Sequence, residues 1–395
     1  MAVIMTVGAC SLAFAESGAT AKLKFADDGK FRIINLCDCQ DTFPAHEEMY
    51  SFIYRIIEDY KPDLVVLGGD NAVGPQETKE QEIKALVKPF LETGTYFTMV
   101  FGNHDHQQGW SNPELFDLYV RYGGEYFLGT NEVDVNDDAP HPKAGTHFLP
   151  VYSSKYDSKV AYGLYMFDSG NYVYDEDGND IGYGCVEPYQ IDWYKENREQ
   201  YKDDNGNYIP AVAFQHIVVG DVYDYLYYPS PVDLGELGRA FYGKYYTFVP
   251  KCQNFTGFLS EPPCPGYYNY GQLDAMAEKG EVKAIFSGHD HTNSFDVEIK
   301  GVHVINTPAI TYHSYSSELN HGCRLIVLDE NTGGFESEVI TVNGYVVNDA
   351  DYAAKIGASK FTAQFYEIIG PVLISLAKAL SVFGKALDLI VGVAA

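Results

Sequence analysis

Five short polar motifs stand where apolar runs end: Asp38-x-Gln40, Gly69-Asp70, Gly102-Asn103-His104-Asp105, His216, and Gly288-His289-Asp290-His291. Carboxylates, imidazoles and carboxamides together make sites for cations of intermediate hardness. Two such cations about 3.5–4 Å apart can hold a phosphoryl oxygen, create a hydroxide nucleophile near neutral pH and orient in-line attack. A carboxylate suits the bridging position, because its two oxygens reach both ions. Glycines beside the donors let the chain turn sharply and bring backbone close. Each motif alone is weak. In this order they form a strong joint signal.

The elements that must position these residues are legible in the apolar periodicity. "FRIINLCD" reads as a buried strand ending in Asp38, "EEMYSFIYRIIEDY" as a helix, and "DLVVLGGD" as a second strand ending in Asp70. "KEQEIKALVKPFLET" is helical, and "YFTMVFGNHD" is a third strand running into a polar loop. Strands alternating with helices indicate βαβ units, and open α/β sheets place their sites at strand C-terminal ends. The pattern resumes with "KVAYGLYMFDSG", the helix-like "PYQIDWYKENREQY", and "AVAFQH" ending in His216. A Tyr-, Pro- and Gly-rich insertion covers about 221–270, followed by the helix "GQLDAMAEKG", the strand "VKAIFSGHDH" and further strands to about 343. The expected class is α/β: a two-layered mixed β-sandwich flanked by helices, one catalytic domain over 16–345, then a helical tail over 346–395. Along an extended strand Asp38 and Gln40 face one way and Cys37 and Cys39 the other. The thiols are then expected behind the sheet as small apolar residues, with a metal thiolate as the alternative.

"GGDN", "GNHDH" and "GHDHTNSF" resemble the calcineurin-like metallophosphoesterases, a superfamily that includes the purple acid phosphatases. The resemblance covers about residues 31–330. From "AFQHIVV" to "GCRLIVLDE" the chain also looks like the small purple-acid-phosphatase-like phosphatases. The resemblance implies two divalent or trivalent ions (Mn, Fe, Zn or Mg) and a phosphate-ester substrate. Asp38 and His291 would bind the first ion, Asp70 would bridge, and Asn103, His216 and His289 would bind the second. His104 would act as general acid or charge stabiliser beside the leaving group, oriented by Asp105. His216 as a structural histidine and His104 as a further ligand stay open as alternatives. His106 and His313 are weaker candidates. Two departures stand out. The family's Asp-x-His is Asp38-Cys39-Gln40 here, and a Gln carbonyl is a harder, weaker ligand than imidazole. Val73 occupies the position of the purple acid phosphatase Tyr, so an Fe(III)-tyrosinate colour is not expected.

The net charge of -28 excludes a broad phosphate-backbone binder. It suits an exported protein. Ala13-Phe14-Ala15 ends an apolar run as a cleavage signal would, making 1–15 a signal-like segment, while Val7–Cys10 is similar to a lipoprotein box. Six cysteines follow that segment, and Cys252 and Cys264 bracket a loop where an oxidising compartment permits a disulfide. From Phe361 the chain is apolar, with a polar stripe at Ser375, Lys378, Ser381, Lys385 and Asp388. Their spacing predicts an amphipathic helix after the Gly370-Pro371 break. It would pack on the protein itself, on a second copy or on a membrane surface. The expected activity is phosphomonoester hydrolysis. The alternatives are phosphodiester or nucleotide hydrolysis at the same site and a non-catalytic cell-envelope binding protein.

Overall fold

The computed structural model describes residues 23–134 and 142–392. Alternate residues of the strand Lys30–Leu36 enter two different cores, Phe31 and Ile33 one, Ile34 and Leu36 the other. In Leu64–Gly68, Leu64 and Val66 divide from Val65 and Leu67 in the same way. A strand covered on both faces has no polar face, which is why these segments read as continuous apolar runs.

These two strands and Phe97–Val100 run parallel. Gly322–Asp329 joins antiparallel beside Lys30–Leu36, and Phe335–Thr341 completes a five-stranded sheet. A second sheet has eight strands, in the order Leu23–Lys24, His147–Tyr152, Val160–Met166, Ala211–Phe214, Val282–Ser287, Val302–Asn306, Asp296–Ile299, Phe255–Thr256. Its four central strands are parallel. Phe31, Ile33, Leu164, Met166, Phe214 and Phe286 fill the space between the sheets. Glu47–Tyr60, Lys79–Thr93 and Asn112–Gly123 cover the outer face of the first sheet. Pro188–Arg198 and Gln272–Ala277 cover the second. The expected two-layered mixed sandwich flanked by helices is the observed architecture.

The insertion is more ordered than its loop-like composition indicates. It holds a short helix, Val222–Leu226, and a three-stranded antiparallel sheet of Tyr227–Ser230, Lys244–Pro250 and Gly238–Phe241. Cys252 and Cys264 are both free thiols, so of the two states open to this loop the structure has the unbridged one. Cys252 is buried in the core of the second sheet, while Cys264 stands by the guanidinium of Arg239, so packing separates their environments.

The tail departs from expectation too. One helix runs from Lys360 to Gly392 with Pro371 inside it, so Gly370-Pro371 is no break. Proline leaves one carbonyl of the helix ladder unpaired. That carbonyl belongs to Glu367, an exposed residue, where water can replace the bond. Ala363 enters the core of the first sheet and Gly370 faces the Phe258 ring, whereas Phe361, Phe365, Ile368 and Leu376 are exposed. No helix among the described residues is long and apolar enough to cross a membrane. The signal-like segment and the side chains of Ser381, Lys385 and Asp388 lie outside the described residues.

Candidate metal centre

Five strands end at one place. Asp38, Asp70 and Asn103 follow Lys30–Leu36, Leu64–Gly68 and Phe97–Val100 of the first sheet. His216 and the pair His289 and His291 follow Ala211–Phe214 and Val282–Ser287 of the second. Backbone bonds lock these loops together. The Asp38 N–H donates to the Gly69 carbonyl at 3.0 Å and the Gln40 N–H to the Asp70 carbonyl at 2.8 Å. The His289 N–H donates to Asp38 Oδ2 at 3.0 Å, and the His104 N–H to Asp70 Oδ1 at 2.7 Å.

Asp38, Gln40, Asp70 and His289 all have positive φ, at 52°, 40°, 51° and 73°. Left-handed backbone costs a non-glycine residue roughly 1–2 kcal/mol. One well-buried Ile or Phe contributes about as much in return, so the packed sandwich can hold four such turns at one site. Such clustering is characteristic of functional loops. The glycines are fixed by crowding: a Cβ on Gly102 would stand 2.2 Å from Asp70 Oδ1, and one on Gly69, at φ +95°, 2.5 Å from the His216 ring.

The side chains converge in two overlapping groups, Asp38, Asp70 and His291, and Asp70, His216 and His289. Asp70 belongs to both. Asp38, Asp70, Asn103 and His216 are at most 1% exposed. Asp38 Oδ1, Asn103 Oδ1, His216 Nε2 and His289 Nε2 are buried and make no hydrogen bond. Buried polar atoms are normally paired, so four orphaned donor atoms of metal-binding types fit a cation centre. His216 Nδ1 donates to the Gly68 carbonyl at 3.0 Å and His291 Nδ1 to the Tyr315 carbonyl at 2.7 Å. In the neutral rings each bond leaves Nε2 as the ligand atom.

Electrostatics agrees. Burial opposes charge on His216, yet the Asp70 and Asp38 carboxylates raise its pKa to about 10. Burial opposes charge on His291 as well, and Asp38 raises it to about 9. His289 is held well below the usual range by burial and by His216 beside it. Burial alone would raise Asp70, but His216 and His104 hold its carboxyl well below the carboxylate range. The carboxylates draw onto two rings the positive charge that cations would otherwise bring.

Gln40 sits inside this constellation. Its Nε2 donates to Asp70 Oδ2 at 3.1 Å and lies 3.3 Å from His291 Nε2. Turning the amide over would put its carbonyl oxygen on the same side. Asp105 corrects an expectation, since its carboxylate is not directed at the His104 ring. Its Oδ1 accepts from the N–H groups of Asn71 and Ala72, and its Oδ2 from that of Gly102. Being 1% exposed, it ties the second and third strand-end loops together and positions His104 through the backbone. Burial and the neighbouring Asp70 raise its pKa to about 6, with the three N–H bonds opposing.

The thiols also differ from a simple alternation, because left-handed turns at Asp38 and Gln40 interrupt the extended strand. Cys37 lies beside Asn35 and Cys39 in the core under the helices. Burial pushes both thiols well above the usual range, and neither joins a ligand group.

Three tyrosines escaped the sequence reading. Asn103 Nδ2 donates to the Tyr172 hydroxyl at 2.8 Å, which aims the Asn103 carbonyl oxygen. The Tyr183 ring meets His289 edge-on at 4.3 Å, and Tyr315 stacks on His291 at 4.2 Å and 12°. Their signal was only the abundance of loop tyrosines. A cleft of about 420 Å³ opens over the centre, walled by His104, Tyr183, Glu261, His313 and Tyr315 among others. Among the described residues its lining has no Lys or Arg. His106 lies to the side, its ring 6.4 Å from that of Tyr172.

The family model described as calcineurin-like phosphoesterase matches residues 31–293. The chain is 26% identical over 324 residues to a protein of Arabidopsis thaliana named "Probable inactive purple acid phosphatase 14", covering 74% of each. It is 26% identical to "Probable inactive purple acid phosphatase 29" of the same plant, over 82% of this chain and 84% of that one. "Phosphatase DCR2" of Saccharomyces cerevisiae matches at 26% over 69% of this chain and 46% of its own. Among solved structures, a dimetal phosphatase from Danio rerio superposes with a TM-score of 0.45 at 11% identity, over 78% of this chain and 98% of that one. The chain belongs to the calcineurin-like phosphoesterases and is a metal-dependent phosphoesterase.

Proposed function

We propose that the protein is an exported dinuclear-metal phosphomonoesterase acting on small esters. The observation that carries the reading is the pair of ligand groups joined at Asp70 beneath the cleft. Asp38, Asp70, His291 and a turned Gln40 would hold the first ion. Asp70, Asn103, His216 and His289 would hold the second. When bound, two ions supply positive charge for phosphoryl oxygens and lower the pKa of water. The chain's own residues do the rest. With no Lys or Arg among its described lining residues, the cleft has only imidazoles and bound metal to offer a phosphate dianion, so affinity should rise with metal loading. His104 lines the cleft, and its backbone is fixed by Asp70, so its ring can give a proton to the leaving oxygen. Asp105 and the Tyr172 hydroxyl hold the loops and the Asn103 amide still while this happens.

The volume of the cleft and its acidic Glu261 favour small monoesters over long polyanions. Export rests on the signal-like N-terminal residues and the strongly negative charge. The test is a screen of phosphomonoesters and phosphodiesters after loading with Mn, Fe, Zn or Mg, with metal content measured. Metal-dependent hydrolysis of monoesters above diesters is expected. A fully loaded protein that hydrolyses neither would favour a non-catalytic binding protein, with Gln40 as its mark.

A further inference from the structure

The wall of the metal cleft continues into a second groove. Tyr183, which meets His289, pairs across a two-stranded hairpin with Tyr172, which holds Asn103. Tyr172 is also a wall of a groove of about 590 Å³, together with Tyr174, Tyr268 and Tyr270. Those last three rings are 42%, 45% and 46% exposed, and Tyr268 and Tyr270 stack at 5.6 Å and 27°. Aromatic faces are thus presented to solvent along a path that begins at His289 of the candidate metal centre.

The groove offers no charge for a second phosphate. Lys143 is the one Lys or Arg on its wall among the described residues, and its ammonium is already spent on the Cys185 carbonyl at 2.6 Å, Gln190 Oε1 at 3.2 Å and Glu187 at 3.5 Å. Asp175 and Glu187 make the remainder acidic. Exposed rings on an acidic wall suit a planar, uncharged group. We propose that the groove receives the base of a nucleoside monophosphate whose nucleoside departs through its ribose oxygen, an inference that rests on the phosphatase reading of the centre. Base–aromatic stacking discriminates by shape and not by hydrogen-bond pattern, so preference among bases should be weak.

The test uses the full chain and the double variant Tyr268→Ala, Tyr270→Ala, two exposed positions outside the metal centre. Adenosine is added to the metal-free proteins and followed by saturation-transfer NMR. Separately, kcat/KM for AMP and for glycerol 2-phosphate is measured on the metal-loaded proteins. Adenosine should bind the parent and not the variant. The variant should lose about tenfold in kcat/KM for AMP, with glycerol 2-phosphate unchanged. Absence of adenosine binding to the folded parent would overturn the proposal, as would an equal loss on both esters. Should neither ester be hydrolysed, the phosphatase reading falls, and the adenosine signal by itself still decides the groove.

Discussion

The five-stranded sheet brings the oxygen donors Asp38, Asp70 and Asn103 to the centre with the Gln40 amide beside them, whereas the eight-stranded sheet brings His216, His289 and His291, all nitrogen donors. Neither sheet holds a complete ligand group. The centre exists where the two layers meet, so it reports on their docking as much as on its own residues. The halves also differ in readiness. The second group, with Asn103, has three orphaned donor atoms facing inward. In the first, the Gln40 amide already satisfies part of Asp70 and approaches His291. The second position should fill first, and the first should fill only as Gln40 turns.

The largest effect should come from Asp70→Ala, which removes the carboxylate common to both groups. Metal content should fall at both positions and hydrolysis should vanish. One ion retained at full affinity would show that the groups are not joined there. His104→Ala separates chemistry from binding: turnover should drop by about 10²–10⁴-fold, with metal content unchanged. Equal turnover at equal metal content would remove His104 from the mechanism.

How much of this could be read from the chain follows from the same geometry. Strands buried on both faces leave apolar runs, and five of these runs end in the residues that meet at the centre, from Asp38 to His291. The outer helices Glu47–Tyr60 and Lys79–Thr93 were equally plain in their apolar periodicity. Backbone conformation was not legible: the positive φ of Asp38 and Gln40 undoes the alternation that placed both cysteines on one side. Asp105 follows His104 directly, yet its acceptors are backbone N–H groups that no side-chain pattern records. Tyr172, Tyr183 and Tyr315 reach the centre across long sequence distances without fixed spacing. The three-stranded sheet in the insertion was hidden by its Gly, Pro and Tyr content.

A third test concerns the docking of the sheets. Buried His147, on the second sheet, bonds through Nε2 to the Thr98 hydroxyl on the first at 2.9 Å and through Nδ1 to the Gly145 carbonyl. Burial lowers its pKa from 6.5 to about 4, with the Gly145 bond opposing. Between these values the unfolded chain carries a proton that the folded chain does not. Stability therefore rises with pH across this window and is lost as pH falls from 6.5 towards 4, by about 3 kcal/mol from this residue. Urea unfolding at pH 7 and pH 4.5 should show a larger loss in the parent than in His147→Gln. Equal losses would mean that His147 is not held neutral between the sheets.

The smallest effect sharpens the contrast between oxygen and nitrogen donors. Gln40→His gives the first position an imidazole and should tighten it for Zn by about 10–100-fold, a range typical when a metal's immediate surroundings change. The position bounded by His216 and His289 should keep its affinity. An unchanged first position would mean that Gln40 is no ligand.

The most direct measurement is an anomalous-scattering map of crystals soaked in Mn at limiting and at excess concentration. The limiting soak should give one peak, among Asp70, Asn103, His216 and His289. The excess soak should add a second, among Asp38, Asp70 and His291. A single peak at saturation, or none beside Asp70, would contradict a dinuclear centre shared between the two sheets.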